Sequence, residues 1–184
     1  MESKNVVIYK SKYGTTKRYA GWIAIKLGAD LYELSDIRVK DLNNYDTIIY
    51  GGYLYASKIK GINFIINNYK NISNKNIIIY TVGMESDSEK CRRKIIENNF
   101  DKEIIDKVSL FHFKGAFNYK ELSIMDKVMM NFMKKNIESK SKRDLTDDDK
   151  DLLKGFEKGI DLSDKKYINN LIDYIYTENE KNNI

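Results

Sequence analysis

The 184-residue sequence has no proline, one cysteine, one histidine and one tryptophan. Two of these scarcities, of cysteine and histidine, exclude whole classes of chemistry. A single thiol, Cys91, rules out an internal disulfide and any Cys-x-x-Cys site. A single imidazole, His112, closes His-rich metal sites and Ser-His-Asp hydrolase chemistry, so no metal site is expected. His112 falls within an apolar strand-like stretch, where a structural histidine is expected. Cys91 falls on a helix face, where packing is expected rather than redox chemistry. No apolar run approaches the roughly 20 residues of a membrane span. The opening residues, MESKNVVIYK, carry an acid and too short an apolar run for a secretory leader. A cytoplasmic protein is therefore expected. The sequence also lacks Gly-x-Gly-x-x-Gly and any Gly-Lys-Ser/Thr phosphate loop. The acidic run Asp147, Asp148 and Asp149 lacks EF-hand spacing and reads as a helix start favoured by the helix dipole.

Charge is abundant by contrast. Lys and Arg number 32 and Asp and Glu 27, for a formal net charge of +5. The lysines are interleaved with acids, which describes a solvated surface. A surface facing an anionic membrane or partner is the sharper reading. Nucleic acid is not expected, because no nucleic-acid-binding motif accompanies the charge.

The first two-thirds of the chain alternates between apolar runs and helical periodicity. VVIYK (6–10), DLYEL (30–34), DTIIYGG (46–52), NIIIYTVG (76–83) and VSLFHFKGAF (108–117) read as five strands. Stretches 16–27, 61–70 and 88–100 read as helices between them. Nearly continuous apolar strands separated by helices predict a parallel sheet covered on both faces, a doubly wound α/β domain. Residues 121–137 then form an amphipathic helix with Leu122, Met125, Val128, Met129, Phe132 and Met133 along one side. A charged loop (139–150) precedes a short helix capped by Thr146. Ser163 is expected to cap a last helix that turns Ile168, Leu171, Ile172 and Ile175 inward. No repeat or linker is evident, so one domain over 1–184 is expected, with an insertion at about 118–160.

The segment VVIYKSKYGTTKRYAGWI (6–23) concentrates the chemistry. A turn between a buried strand and a helix lies at the carboxyl edge of the sheet, where open α/β sheets bind ligands. Backbone amides and the helix N-terminus there favour an anion. Ser11, Thr15 and Thr16 add hydroxyls, and Gly14 permits a close bend. This suits a phosphate held by neutral dipoles. The plainer alternative is that Thr15 or Thr16 simply caps the helix.

The same residues resemble the FMN-phosphate signature of the flavodoxins, with Ser11, Gly14, Thr16, Ala20 and Ile23 at its positions. The resemblance covers roughly residues 5–117 and the final helix. It implies a flavodoxin-like sandwich with strand order 2-1-3-4-5 and FMN as cofactor. It further implies that Ser11, Lys12, Tyr13, Gly14, Thr15 and Thr16 hold the phosphate. Two more loops would flank the flavin ring: 50–57, through Gly51, Gly52, Tyr53, Leu54 and Tyr55, and 81–87, through Val82, Gly83 and Met84. Gly51 and Gly52 would allow a peptide to flip beside the ring. No side chain is singled out as a catalytic acid or base.

Small electron-carrier flavodoxins are strongly acidic, and this chain is basic. Its segment 113–135 resembles the insertion of the menaquinone-dependent protoporphyrinogen oxidases, through Gly115, Ala116, Tyr119, Asp126, Lys127 and the methionines. Electron transfer is the function this implies, with a redox partner protein or a quinone. A protoporphyrinogen dehydrogenase-like enzyme and a cofactor-less docking module are the alternatives. An FMN-dependent reductase of small molecules is a further one. The methionine-rich stretch 122–133 is expected to pack on the domain, to form a homodimer, or to rest peripherally on a membrane.

Overall fold

The computed structural model describes residues 4–182. Five parallel strands form the sheet: β1 (Asn5–Lys10), β2 (Asp30–Glu33), β3 (Thr47–Tyr55), β4 (Asn76–Gly83) and β5 (Val108–Lys114). Their spatial order is β2-β1-β3-β4-β5. This is the flavodoxin-like order expected from the sequence. The longer helices are α1 (Thr15–Leu27), α2 (Glu89–Asn99), α3 (Ile124–Glu138), α4 (Asp147–Lys158) and α5 (Asn169–Asn182).

Alternation along each strand divides the core into two layers. Val6, Ile8, Ile48, Tyr50, Ile77 and Ile79 face α2, where Cys91 and Ile95 meet them. Val7, Ile49, Ile78 and Tyr80 face the other way, onto Tyr19, Ala20 and Ile23 of α1 and Leu171, Ile172 and Ile175 of α5. Each such aliphatic side chain contributes about 2 kcal/mol when fully buried. Cys91 lies in this core, and burial pushes its thiol pKa up to about 12.

Four boundaries differ from the sequence expectation. The helix expected over 61–70 is two single turns, Asn63–Ile66 and Tyr69–Ile72. Asn68 interrupts it with non-helical dihedrals, and its side-chain amide donates to the Phe64 carbonyl. Asparagine competes in this way with the backbone ladder. The region 50–57 is not a loop. β3 continues to Tyr55 and folds back through Ala56 and Ser57 to pair with Lys58–Ile59. β5 ends at Lys114, and Ala116–Phe117 instead pairs antiparallel with Ile160–Asp161. The last helical region opens with a 3₁₀ turn, Lys165–Ile168, capped by Asp164 and not by Ser163.

The inserted α3 and α4 enclose a third apolar cluster of Phe117, Met130, Ile137 and Leu152. Thr146 caps α4, and Asp149 completes a reciprocal capping box. The expected single face of α3 is divided. Met130 is buried, while Met125, Val128 and Phe132 are exposed.

Candidate functional site

A cavity of about 520 Å³ opens at the carboxyl edge of the sheet. Its floor is the turn between β1 and α1. Gly14 takes a left-handed conformation there, with φ +90° and open space where a Cβ would point. The Ser11 hydroxyl oxygen accepts a hydrogen bond from the Gly14 amide at 3.1 Å, so its own hydrogen is free to donate. No side chain caps α1. The plainer reading of Thr15 and Thr16 as caps therefore fails. Both are buried, and among the described residues neither hydroxyl has a protein partner. The first amides of α1 have no intrahelical acceptor, as at any helix start. The Thr16 carbonyl accepts the buried Tyr80 hydroxyl at 3.1 Å, which fixes the turn to the sheet.

The sequence-predicted residues mostly converge. Ser11, Lys12, Tyr13, Thr15 and Thr16 line the cavity from the turn. Tyr53, Leu54 and Tyr55 line it from the end of β3, and Val82, Gly83 and Met84 from the end of β4. Gly83 is needed for close approach. A Cβ there would lie 3.0 Å from the His112 ring and 3.3 Å from Leu54. His112 bonds to the Thr81 hydroxyl at 2.7 Å and to the Glu85 carbonyl at 3.1 Å, so it holds this turn from below.

Gly51 and Gly52 are the correction. They lie inside β3, are buried, and do not line the cavity. A Cβ on Gly51 would sit 1.9 Å from the Tyr80 ring, and one on Gly52 would sit 2.5 Å from Ile59. Close packing against Tyr80 and Ile59 accounts for the missing side chains at both positions.

Sequence reasoning missed the cavity's far wall. Gly115, Ala116, Phe117 and Asn118 follow β5 and face the turn. Leu122, Asp126, Met129 and Met130 come from the insertion. Asp126 is 5% exposed. Its carboxylate accepts from Lys12 Nζ at 2.5 Å and from the Tyr13 hydroxyl. Burial works to raise its pKa, but the bonds from Lys12, Tyr13 and Ser123 prevail and hold it below the usual carboxylate value. Arg18 in α1 bonds Asp161 at 2.5 Å and Ser163 at 2.6 Å. Burial likewise opposes ionisation of Asp161, and Arg18 and Ser163 overcome it. An isolated acid at 126 amid apolar helix positions was the available signal.

A turn of this kind at the first strand, opposite turns from the third and fourth, in this strand order, is the arrangement of a flavodoxin. The flavodoxin domain pattern matches residues 6–144. The chain belongs to the flavodoxin domain family. Among curated proteins none matches it significantly. Solved flavodoxin-like structures are similar to it at the level of fold. A putative flavoprotein from Bacteroides eggerthii shares 17% identity over 60% of this chain and 86% of its own, with a TM-score of 0.46. The Trp repressor binding protein from Bacillus subtilis shares 17% over 61% of this chain and 85% of its own, with a TM-score of 0.47. A flavoprotein in complex with FMN from Lactobacillus acidophilus shares 17% over 61% and 92%, with a TM-score of 0.41. Among the described residues, no helix is long and apolar enough to cross a membrane.

Proposed function

We propose that this flavodoxin-domain chain binds FMN in the cavity and passes electrons through it. The observation that carries the reading is the convergence on one cavity of a hydroxyl-rich turn and the apolar or aromatic carboxyl ends of two strands. The volume lies within the range of small-molecule and cofactor sites, about 300–1,000 Å³. The residues fit the group. The hydroxyls of Ser11, Thr15 and Thr16 and the first amides of α1 would hold the phosphate without a dedicated cation. Tyr53, Leu54 and Tyr55 on one side and Val82, Gly83 and Met84 on the other would flank the ring. The flavin, when bound, supplies the electron-carrying chemistry. The protein supplies the phosphate cradle, the ring walls and the partial exclusion of water.

Equilibrium titration with FMN, followed by quenching of flavin fluorescence, tests this. The Ser11→Ala, Thr16→Ala double variant should bind FMN at least about tenfold more weakly, since each bond to a charged group is worth about 1.5–3 kcal/mol. Equal affinity in wild type and variant would place the phosphate elsewhere.

One observation favours an enzyme over a shuttle. The cavity wall also includes Phe117, Leu122, Met129 and Met130, apolar side chains that suit a second, apolar reactant such as a quinone. The resemblance of the insertion supports a protoporphyrinogen dehydrogenase of the menaquinone-dependent type. Oxidation of protoporphyrinogen that requires a menaquinone analogue would support it. Flavin-replete protein inactive with and without the analogue would leave the shuttle. The outward stripe of Ile124, Met125, Val128 and Phe132 beside Lys127 and Lys135 supports a lipid-borne partner. Co-sedimentation with anionic but not neutral vesicles is the expected outcome for that surface.

A further inference from the structure

The phosphate turn contains one lysine, Lys12, and the insertion engages it. Its ammonium lies 2.5 Å from the Asp126 carboxylate, which comes from 114 residues along the chain. Tyr13, the next residue of the turn, donates its hydroxyl to the same oxygen and accepts from the Ser123 amide at 3.1 Å. Ser123 in turn caps α3 through the Asp126 amide. The carboxylate is thus built into the cavity wall and not a solvated surface group. Of the other cations that line the cavity, Arg18 already has Asp161 as its counter-ion, and Lys158 lies at the end of α4 on the opposite wall.

From this geometry we propose that Asp126 is a specificity-determining residue that offsets the charge of Lys12 and sets how strongly the site prefers a phosphorylated flavin over an unphosphorylated one. This rests on the FMN reading above. An incoming phosphate dianion meets a turn whose one lysine is engaged and whose neighbour is a buried carboxylate. In such a partly desolvated site each unit charge matters more than in water. Removing the carboxylate frees the ammonium for phosphate. Removing the ammonium leaves the carboxylate to repel it. A ligand without phosphate registers neither change strongly. The depressed pKa of Asp126 keeps the pair ionised at neutral pH.

The test is the ratio of riboflavin Kd to FMN Kd, measured by fluorescence titration at low salt. Wild type is compared with Asp126→Asn, Lys12→Met and the double variant. The ratio should rise by about tenfold in D126N, fall by about tenfold in K12M, and return near the wild-type value in the double variant. Asparagine keeps an oxygen for Tyr13, and Lys12 is partly exposed, so K12M serves if D126N folds poorly. A fall in affinity for both flavins by the same factor would reduce Asp126 to a structural tie and overturn the inference. Wild-type protein that binds neither flavin would instead overturn the FMN reading, and this inference with it.

Discussion

His112 shows how one buried polar side chain can hold a ligand loop. The Glu85 carbonyl can only accept, so Nε2 carries the proton and Nδ1 accepts from the Thr81 hydroxyl. Burial, the leading cause, lowers the imidazole pKa below 6.5 against the raising effect of the Glu85 carbonyl. The unfolded chain therefore takes up the proton first as pH falls. His112 costs nothing well above pH ~6.5 and destabilises the fold as pH drops below that value toward its folded pKa. Urea unfolding at pH ~7.5 and ~5.5 should show a larger loss in wild type than in His112→Gln. An equal loss in both would mean that the imidazole does not titrate between folded and unfolded states. Gly51 makes a second case. Its missing Cβ makes room for Tyr80, which cannot swing away without releasing Thr16. Gly51→Ala should cost about 3 kcal/mol through overpacking. Gly21→Ala in α1, where nothing lies within 4 Å, should gain about 0.5–1 kcal/mol from helix propensity. Chemical denaturation reads both.

At the scale of elements, the strands and the first turn were legible because their signals are local. Unbroken apolar runs such as NIIIYTVG bury on both faces, and a glycine with two following threonines marks the bend. The hairpin after β3 was not legible. Its turn residues, Ala56 and Ser57, have φ 49° and 63°, the left-handed pair of a type I′ turn that usually needs Asn-Gly. Lacking that signature, the segment read as a loop. The adjacent Gly51 and Gly52 reinforced the reading, since what fills the space beside them, Tyr80 and Ile59, is decided by tertiary packing. The turn stores strain that can be relieved. Ser57→Gly should stabilise the protein by about 1 kcal/mol, seen as a higher urea midpoint with unchanged slope. A lower midpoint would show that the left-handed serine is not strained. The division of α3 was illegible for a related reason. Its periodicity defines an apolar arc, but not how much of that arc the domain covers.

For the whole molecule, the insertion is part of the site. Charged pairs join it and the segment just after it to the sheet edge: Lys12 with Asp126, Lys114 with Asp148 and Asp151, and Arg18 with Asp161. Asp148 also accepts from the Ser86 amide and hydroxyl beside the β4 turn. These ties join residues tens of positions apart, beyond the reach of spacing arguments. The near wall of the cavity could be read from the sequence and the far wall could not. The central claim is that this cavity holds FMN by its phosphate. It is tested most directly by the visible absorption spectrum of the purified protein after addition of FMN and desalting. The account predicts flavin bands that survive desalting in wild type and are lost or much weakened in the Ser11→Ala, Thr16→Ala variant. A folded wild-type protein that emerges colourless would contradict it.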